Sequence, residues 1–160
     1  MIIAPDFSIL LEEMKEILAT NKEPLMSICK LLNKKVDHYN WVGFYFMNDK
    51  TRTLEIGPYI GLKTDHTRIP YGKGICGQVA NNAEIFVVED VHQQDNYLAC
   101  SLDTQAEIVV PLFLNEKLIG QIDIDSNDRS PFSTKDEDFL KSLCDLISMH
   151  PESFSSHLPE

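Results

Sequence analysis

Glu107-Ile108-Val109-Val110-Pro111-Leu112-Phe113-Leu114-Asn115-Glu116-Lys117-Leu118-Ile119-Gly120-Gln121-Ile122-Asp123-Ile124-Asp125 holds two runs rich in β-branched and aromatic residues around a polar Asn-Glu pair. This pattern predicts two strands, Glu107 to Phe113 and Lys117 to Asp125, joined at Asn115-Glu116. Side chains alternate along a strand. Asp123 and Asp125 therefore share one face, and Ile122 and Ile124 take the other.

Working outward, Trp41-Val42-Gly43-Phe44-Tyr45-Phe46 predicts another strand, and Asn48-Asp49-Lys50 a turn into a strand that begins at Thr53. Residues 57 to 74 contain four Gly and two Pro and are expected to be mostly loop. A short helix is expected near Ile75 to Asn81, a short strand at Ile85 to Val88, and a long polar loop over 89 to 104. Apolar residues at helical spacing mark 6 to 20, a second helix opened by Pro24, and a final helix started by Ser133. Helices, strands, a loop-rich middle, strands and a helix in that order imply an α+β fold, with an antiparallel sheet and helices packed on one face. Residues 1 to 150 read as a single domain and 151 to 160 as a flexible C-terminal tail.

The formal net charge is −11 over 160 residues, with the basic residues scattered. Nucleic acid is not an expected partner, because phosphate neutralisation requires clustered Lys and Arg. No apolar run is long enough for a bilayer, and the first residues lack the basic region of a signal peptide, so no membrane association and a cytoplasmic location are expected. Thiols stay reduced there, and a cysteine pair is more often catalytic, redox or metal-binding than a structural staple. The four cysteines, at 29, 76, 100 and 144, contain no C-x-x-C and no close Cys–His pair, so no metal is expected.

Two cysteines stand in unusual surroundings. Cys76 follows the Gly-rich Tyr71-Gly72-Lys73-Gly74-Ile75 at the expected start of a helix, where exposed N–H groups lower a thiol pKa or bind an anion. Its alternative is core filling, the usual fate of a free cysteine. Cys100 lies in a polar loop, where core filling explains it less easily. Cys29 and Cys144 fall on apolar helix faces. Asp123 and Asp125 fit a sheet face in water. If Glu107 reaches the same face, they also fit a crowded acidic cluster in which one carboxyl stays protonated near neutral pH. Trp41, Gly43 and Tyr45 alternate on one strand face, as an aromatic core or as the wall of a small pocket in which Gly43 leaves room for a ligand. The apolar faces of the three long helices suit a homodimer or burial within one chain.

The motifs Asn40-Trp41-Val42-Gly43-Phe44-Tyr45, Gly72-Lys73-Gly74-Ile75-Cys76-Gly77, Leu98-Ala99-Cys100, Glu107-Ile108-Val109-Val110-Pro111 and Asp123-Ile124-Asp125-Ser126 occur in this order. Together they resemble the free methionine-(R)-sulfoxide reductases, which are GAF-fold enzymes, with this chain similar to a two-cysteine variant of them. The resemblance implies a GAF-like fold with ligand-binding loops on the sheet face opposite the helices. It also implies thiol-dependent reduction of free L-methionine (R)-sulfoxide, as part of the response to oxidative stress. Cys100 matches the family's nucleophile and Cys76 a second redox cysteine. Glu107, Asp123 and Asp125 match the acids around the sulfoxide, and Trp41 and Tyr45 the aromatic lining. The N–H groups around Gly74, Ile75 and Gly77 become candidate donors to the substrate carboxylate. Thioredoxin or a similar dithiol is the implied reductant, and no cofactor is required. Many members carry a third cysteine ten positions before the Gly-Lys-Gly cysteine, where this chain has His66. The competing expectation is a non-catalytic GAF module that binds a small ligand or senses redox state.

Overall fold

The computed structural model describes residues 5–98 and 101–159. Its centre is a six-stranded antiparallel sheet of β1 (Trp41–Asn48), β2 (Thr53–Ile60), β3 (Arg68–Pro70), β4 (Phe86–Val88), β5 (Ala106–Leu114) and β6 (Lys117–Ser126), in the spatial order β3-β2-β1-β6-β5-β4. The β5–β6 hairpin turns at Asn115 and Glu116, both at positive φ (51° and 66°), as a tight hairpin turn requires.

Three helices cover one face: α1 (Phe7–Thr20), α2 (Pro24–Lys35) and α4 (Thr134–Ser148). Asp6 caps α1 by accepting from the N–H groups of Ser8 and Ile9. Leu10, Met14 and Leu18 from α1, Ile28 and Leu32 from α2, and Phe139, Leu140 and Leu143 from α4 meet Val42, Phe44, Phe46, Ile108, Val110, Ile122 and Ile124 in one buried core. The apolar helix faces are thus used within the chain. The opposite sheet face carries α3 (Gly74–Asn82) and a smaller core of Trp41, Tyr45, Ile75, Cys76, Val79 and Val109. This two-sided covering is the expected arrangement of helices and loops.

Two segments differ from the sequence reading. The Gly/Pro-rich region contains the end of β2 and all of β3. Tyr45 pairs with Ile56 and Gly43 with Tyr59, so Gly57 and Pro58 together oppose the single residue Phe44. A bulge tolerates proline because the ladder hydrogen bond is already interrupted there. The expected loose tail instead forms 3₁₀ turns at Pro151–Ser153 and Ser155–His157. These bury Phe154 completely and stack it on Phe46 at 6.5 Å.

Candidate active site

Strand register builds the centre of the site. Asp125 of β6 pairs with Trp41 of β1 on one side and Glu107 of β5 on the other, and Asp123 pairs with Gly43 and Val109. The alternation that sends Ile122 and Ile124 into the helix-covered core sends all three carboxylates to the opposite face. That face is not in water: Glu107, Asp123 and Asp125 are 4%, 1% and 2% exposed. Like charges on adjacent strands repel, so burial of this trio favours the reactive reading over the solvated one.

α3 supplies the lid of the cluster. Its first turn brings Cys76 Sγ to 3.7 Å from Glu107 Oε2. One donor atom each from Cys76, Glu107 and Asp123 lie within 4.8 Å of one another. Burial, and then the negative charge of Asp123 and Asp125, holds the Glu107 carboxyl well above the usual range. Burial also raises that of Asp123. For Cys76, burial followed by Asp123, Glu107 and Asp125 pushes the thiol well up. The helix start does not activate this thiol, contrary to the sequence expectation, because desolvation and three nearby acids outweigh the end of a nine-residue helix. Cys76 is thus a thiol pushed up by burial, set against a carboxyl pushed the same way.

The Gly-rich turn is locked by residues that the sequence reading passed over. Gly74 adopts φ +67°, and an added Cβ would lie 3.0 Å from the Leu98 side chain. Its N–H donates to Asn96 Oδ1 at 2.8 Å, while Asn96 Nδ2 donates to Gly72 O at 2.7 Å. Gln121, on the same β6 face as the aspartates, donates to Cys76 O at 3.1 Å and fixes the α3 turn over the sheet. Strand alternation could have flagged Gln121. Asn96 carries no comparable signal.

Two small cavities flank the carboxylates. One, of about 10 Å³, is lined by Cys76, Glu107, Asp123, His66, Gly74 and Leu98, with Ile69, Lys73 and Ile75 completing it. It has room for about one water. The other, of about 60 Å³, lies between Trp41, Asp125, Asn40, Leu62, Ser101 and Thr104, beside Asn127. Cys100 itself lies outside the described residues, but Leu98 and Ser101 on either side of it line one cavity each. Gly43 serves a purpose other than the one expected. A Cβ there would sit 2.5 Å from the Trp41 ring and 2.7 Å from Tyr59. The space it leaves is filled by the indole, which stacks on Tyr59 at 5.2 Å and donates to Leu62 O. Tyr45 is fully buried and donates its hydroxyl to His66 O at 2.8 Å. It anchors the His66 loop and borders neither cavity. The N–H of Gly77 is spent on Lys73 O. Cys29 and Cys144 are buried in the helix-side core, their thiols raised by desolvation.

A GAF domain profile matches residues 10–150, and the sheet order, the helix layer on one face and the loops on the other together define a GAF-domain protein. The chain is 37% identical over 138 residues to the free methionine-R-sulfoxide reductase of Escherichia coli strain K12, covering 86% of this chain and 79% of that protein. The fold matches the structure of a free methionine-R-sulfoxide reductase from Neisseria meningitidis in complex with its substrate, with TM-score 0.87, 28% identity, and 99% and 98% of the two chains covered. It also matches the type II free methionine-R-sulfoxide reductase from Thermoplasma acidophilum, with TM-score 0.78, 36% identity, and 89% and 96% covered. The chain belongs to the GAF-domain family of free methionine-R-sulfoxide reductases.

Proposed function

We propose that this protein reduces free L-methionine (R)-sulfoxide to L-methionine, with Cys100 as nucleophile and Cys76 as resolving thiol. The observation that carries this reading is a buried Glu107, its carboxyl held well above the usual range by burial and the neighbouring aspartates, in contact with a thiol and in a cavity lined also by the residue two before Cys100. A neutral carboxyl can hydrogen-bond the sulfoxide oxygen and give it a proton, making the sulfur electrophilic. The Cys100 sulfur then attacks the substrate sulfur. The oxygen passes to Cys100 as a sulfenic acid and methionine departs. The Cys76 thiol attacks that sulfenic acid, releasing water and forming a disulfide. A thioredoxin-type dithiol in the cytoplasm returns both cysteines to thiols by exchange.

Asp123 and Asp125 supply negative charge for the substrate ammonium, beside the Trp41 indole. Among the described residues, Gly74 and Gly77 donate their N–H groups within the protein. The Ile75 and Cys76 N–H groups in the first turn of α3 are the better donors for the substrate carboxylate.

The test is NADPH consumption coupled through thioredoxin and its reductase, with the (R)- and (S)-sulfoxides supplied separately. Turnover of the (R) form alone is expected. Failure with both isomers, and with dithiothreitol as direct reductant, would leave a ligand-binding GAF module.

A further inference from the structure

We propose that Gln121 is a positioning residue for Cys76: its carboxamide, reaching from β6 to the first turn of α3, fixes where the Cys76 sulfur stands when it attacks an oxidised Cys100. This role rests on the reading of Cys76 as the resolving thiol. Gln121 is fully buried. It stands on the face of β6 that carries Asp123 and Asp125, opposite Tyr45 of β1 and Pro111 of β5. Its Nε2 donates to Cys76 O at 3.1 Å, and Cys76 Sγ lies 3.7 Å from Glu107 Oε2. Cys76 is therefore held by its backbone from β6 and by its thiol from β5.

Neither packing nor the pairing of backbone groups explains this amide. Cys76 is inside α3, where a carbonyl already accepts from the N–H four residues on. The Gln121 bond uses the second lone pair of that oxygen, so its loss strands nothing on the backbone. Gln121 Oε1 is itself buried and accepts no hydrogen bond among the described residues, and an unpaired buried acceptor destabilises a fold. The core on this side of the sheet, with Tyr45, Ile75, Val79 and Val109, is apolar. Leucine or methionine would fill a similar volume without that cost. The amide does have a use in holding α3. Lys73 at the N-cap makes no side-chain capping bond, so the first turn is fixed from outside, by Asn96 on the Gly74 N–H and by Gln121 on Cys76 O. A polar group kept in an apolar core at a cost to the fold, and bonded to the backbone of the redox cysteine, is expected where the site demands position.

In the resolving step the Cys76 sulfur bonds to the Cys100 sulfur. The S–O bond of the sulfenic acid breaks, and the hydroxyl leaves with the Cys76 thiol proton as water. The bond formed has a narrow geometry, and a misplacement of about 1 Å can slow such a step about 100-fold. Attack of Cys100 on the sulfoxide comes earlier and does not use Cys76, so loss of Gln121 should act on the second step.

The test is a rapid-quench single turnover of the full-length reduced protein with methionine (R)-sulfoxide. It follows methionine release, Cys100 sulfenic acid trapped by dimedone, and the Cys76–Cys100 disulfide by peptide mass spectrometry. Gln121→Leu should release methionine within about threefold of the parent rate, form the disulfide about tenfold or more slowly, and accumulate trapped sulfenic acid. Its urea midpoint should equal or exceed that of the parent, because the donor and the unpaired acceptor leave together. Gln121→Met, unbranched and of similar length, repeats the test if the leucine variant does not fold. A disulfide rate within about threefold of the parent, or equal slowing of both steps, would overturn the role. Failure of both variants to fold would also overturn it and make the amide structural. Hydrogen peroxide, which oxidises the Cys100 thiol to the same sulfenic acid, separates this role from the reductase reading. If the parent leaves the sulfoxide unreduced, yet peroxide drives a disulfide that Gln121→Leu slows, the positioning role stands and the reductase reading falls. If the parent forms no Cys76–Cys100 disulfide with either oxidant, the positioning role falls whether or not the sulfoxide is reduced.

Discussion

In the proposed reaction Glu107 is the acid, because its surroundings disfavour its charge. Burial and the two aspartates raise its folded pKa above the ordinary carboxylate value of 4.5, so folding favours the protonated form. The associated stability is fully present below the unfolded pKa and is lost as pH rises toward the folded one. Glu107→Gln keeps the shape and removes the titration. Urea melts across a pH series should show the variant gaining stability relative to the parent as pH rises above 4.5, and a constant difference would mean that Glu107 is ionised in the fold. The same variant cannot deliver a proton, and kcat should fall roughly 10²–10⁴-fold. The raised Cys76 thiol fits the proposed resolving role, which follows oxidation of Cys100. Cys76→Ser should give one methionine per protein and then stall with oxidised Cys100. Sustained thioredoxin-coupled cycling in that variant, measured by NADPH consumption, would exclude Cys76 as the resolving thiol.

At the scale of elements, the site depends on how α4 and β1 are joined. Ser133 caps α4 in a capping box with Asp136, and Asp136 Oδ1 also accepts from the Tyr39 hydroxyl and lies 2.8 Å from His38 Nε2. Burial works against the Asp136 charge, but hydrogen bonds from His38, the Ser133 N–H and Tyr39 outweigh it and hold the carboxyl below the usual range. Tyr39 and His38 sit just ahead of β1, so this carboxylate ties the last helix to the strand that bears Trp41. Stability from a depressed pKa is present above the unfolded value of 3.8 and lost as pH falls through the folded one. Asp136→Asn should cost about 1–3 kcal/mol at neutral pH, with the difference from the parent shrinking in acid. A difference that stays constant down to pH 3 in the same melts would assign the cost to packing. The helices were readable from their apolar spacing and caps. β3 and the end of β2 were not, because the bulge at Gly57-Pro58 carries the composition of a loop and a three-residue strand has no period.

For the molecule as a whole, the layering of helices, sheet and site makes the far end of the chain structural. Phe154 lies fully buried in the helix-side core, stacked on Phe46 of β1. Phe154→Ala should lower the unfolding free energy by about 3–5 kcal/mol, read by denaturant titration, and removal of residues 151–160 should cost at least as much. A loss within 0.5 kcal/mol, the usual range for a surface substitution, would mean that the tail is detachable. No helix among the described residues is long and apolar enough to cross a membrane.

The long strands, the three covering helices and the shared face of Asp123 and Asp125 were legible along the chain, because periods of 2 and 3.6 are local properties. Its ordered motifs were also enough to suggest the family. Burial of the acidic face, the raised and unactivated Cys76 thiol, and the room that Gly43 makes for Trp41 emerge only from packing. Each of these depends on what α3, the Asn96 segment and the neighbouring strands place on top of the sheet. Burial and charge proximity act through space, between residues such as Cys76 and Glu107 that stand far apart along the chain and are brought together by register.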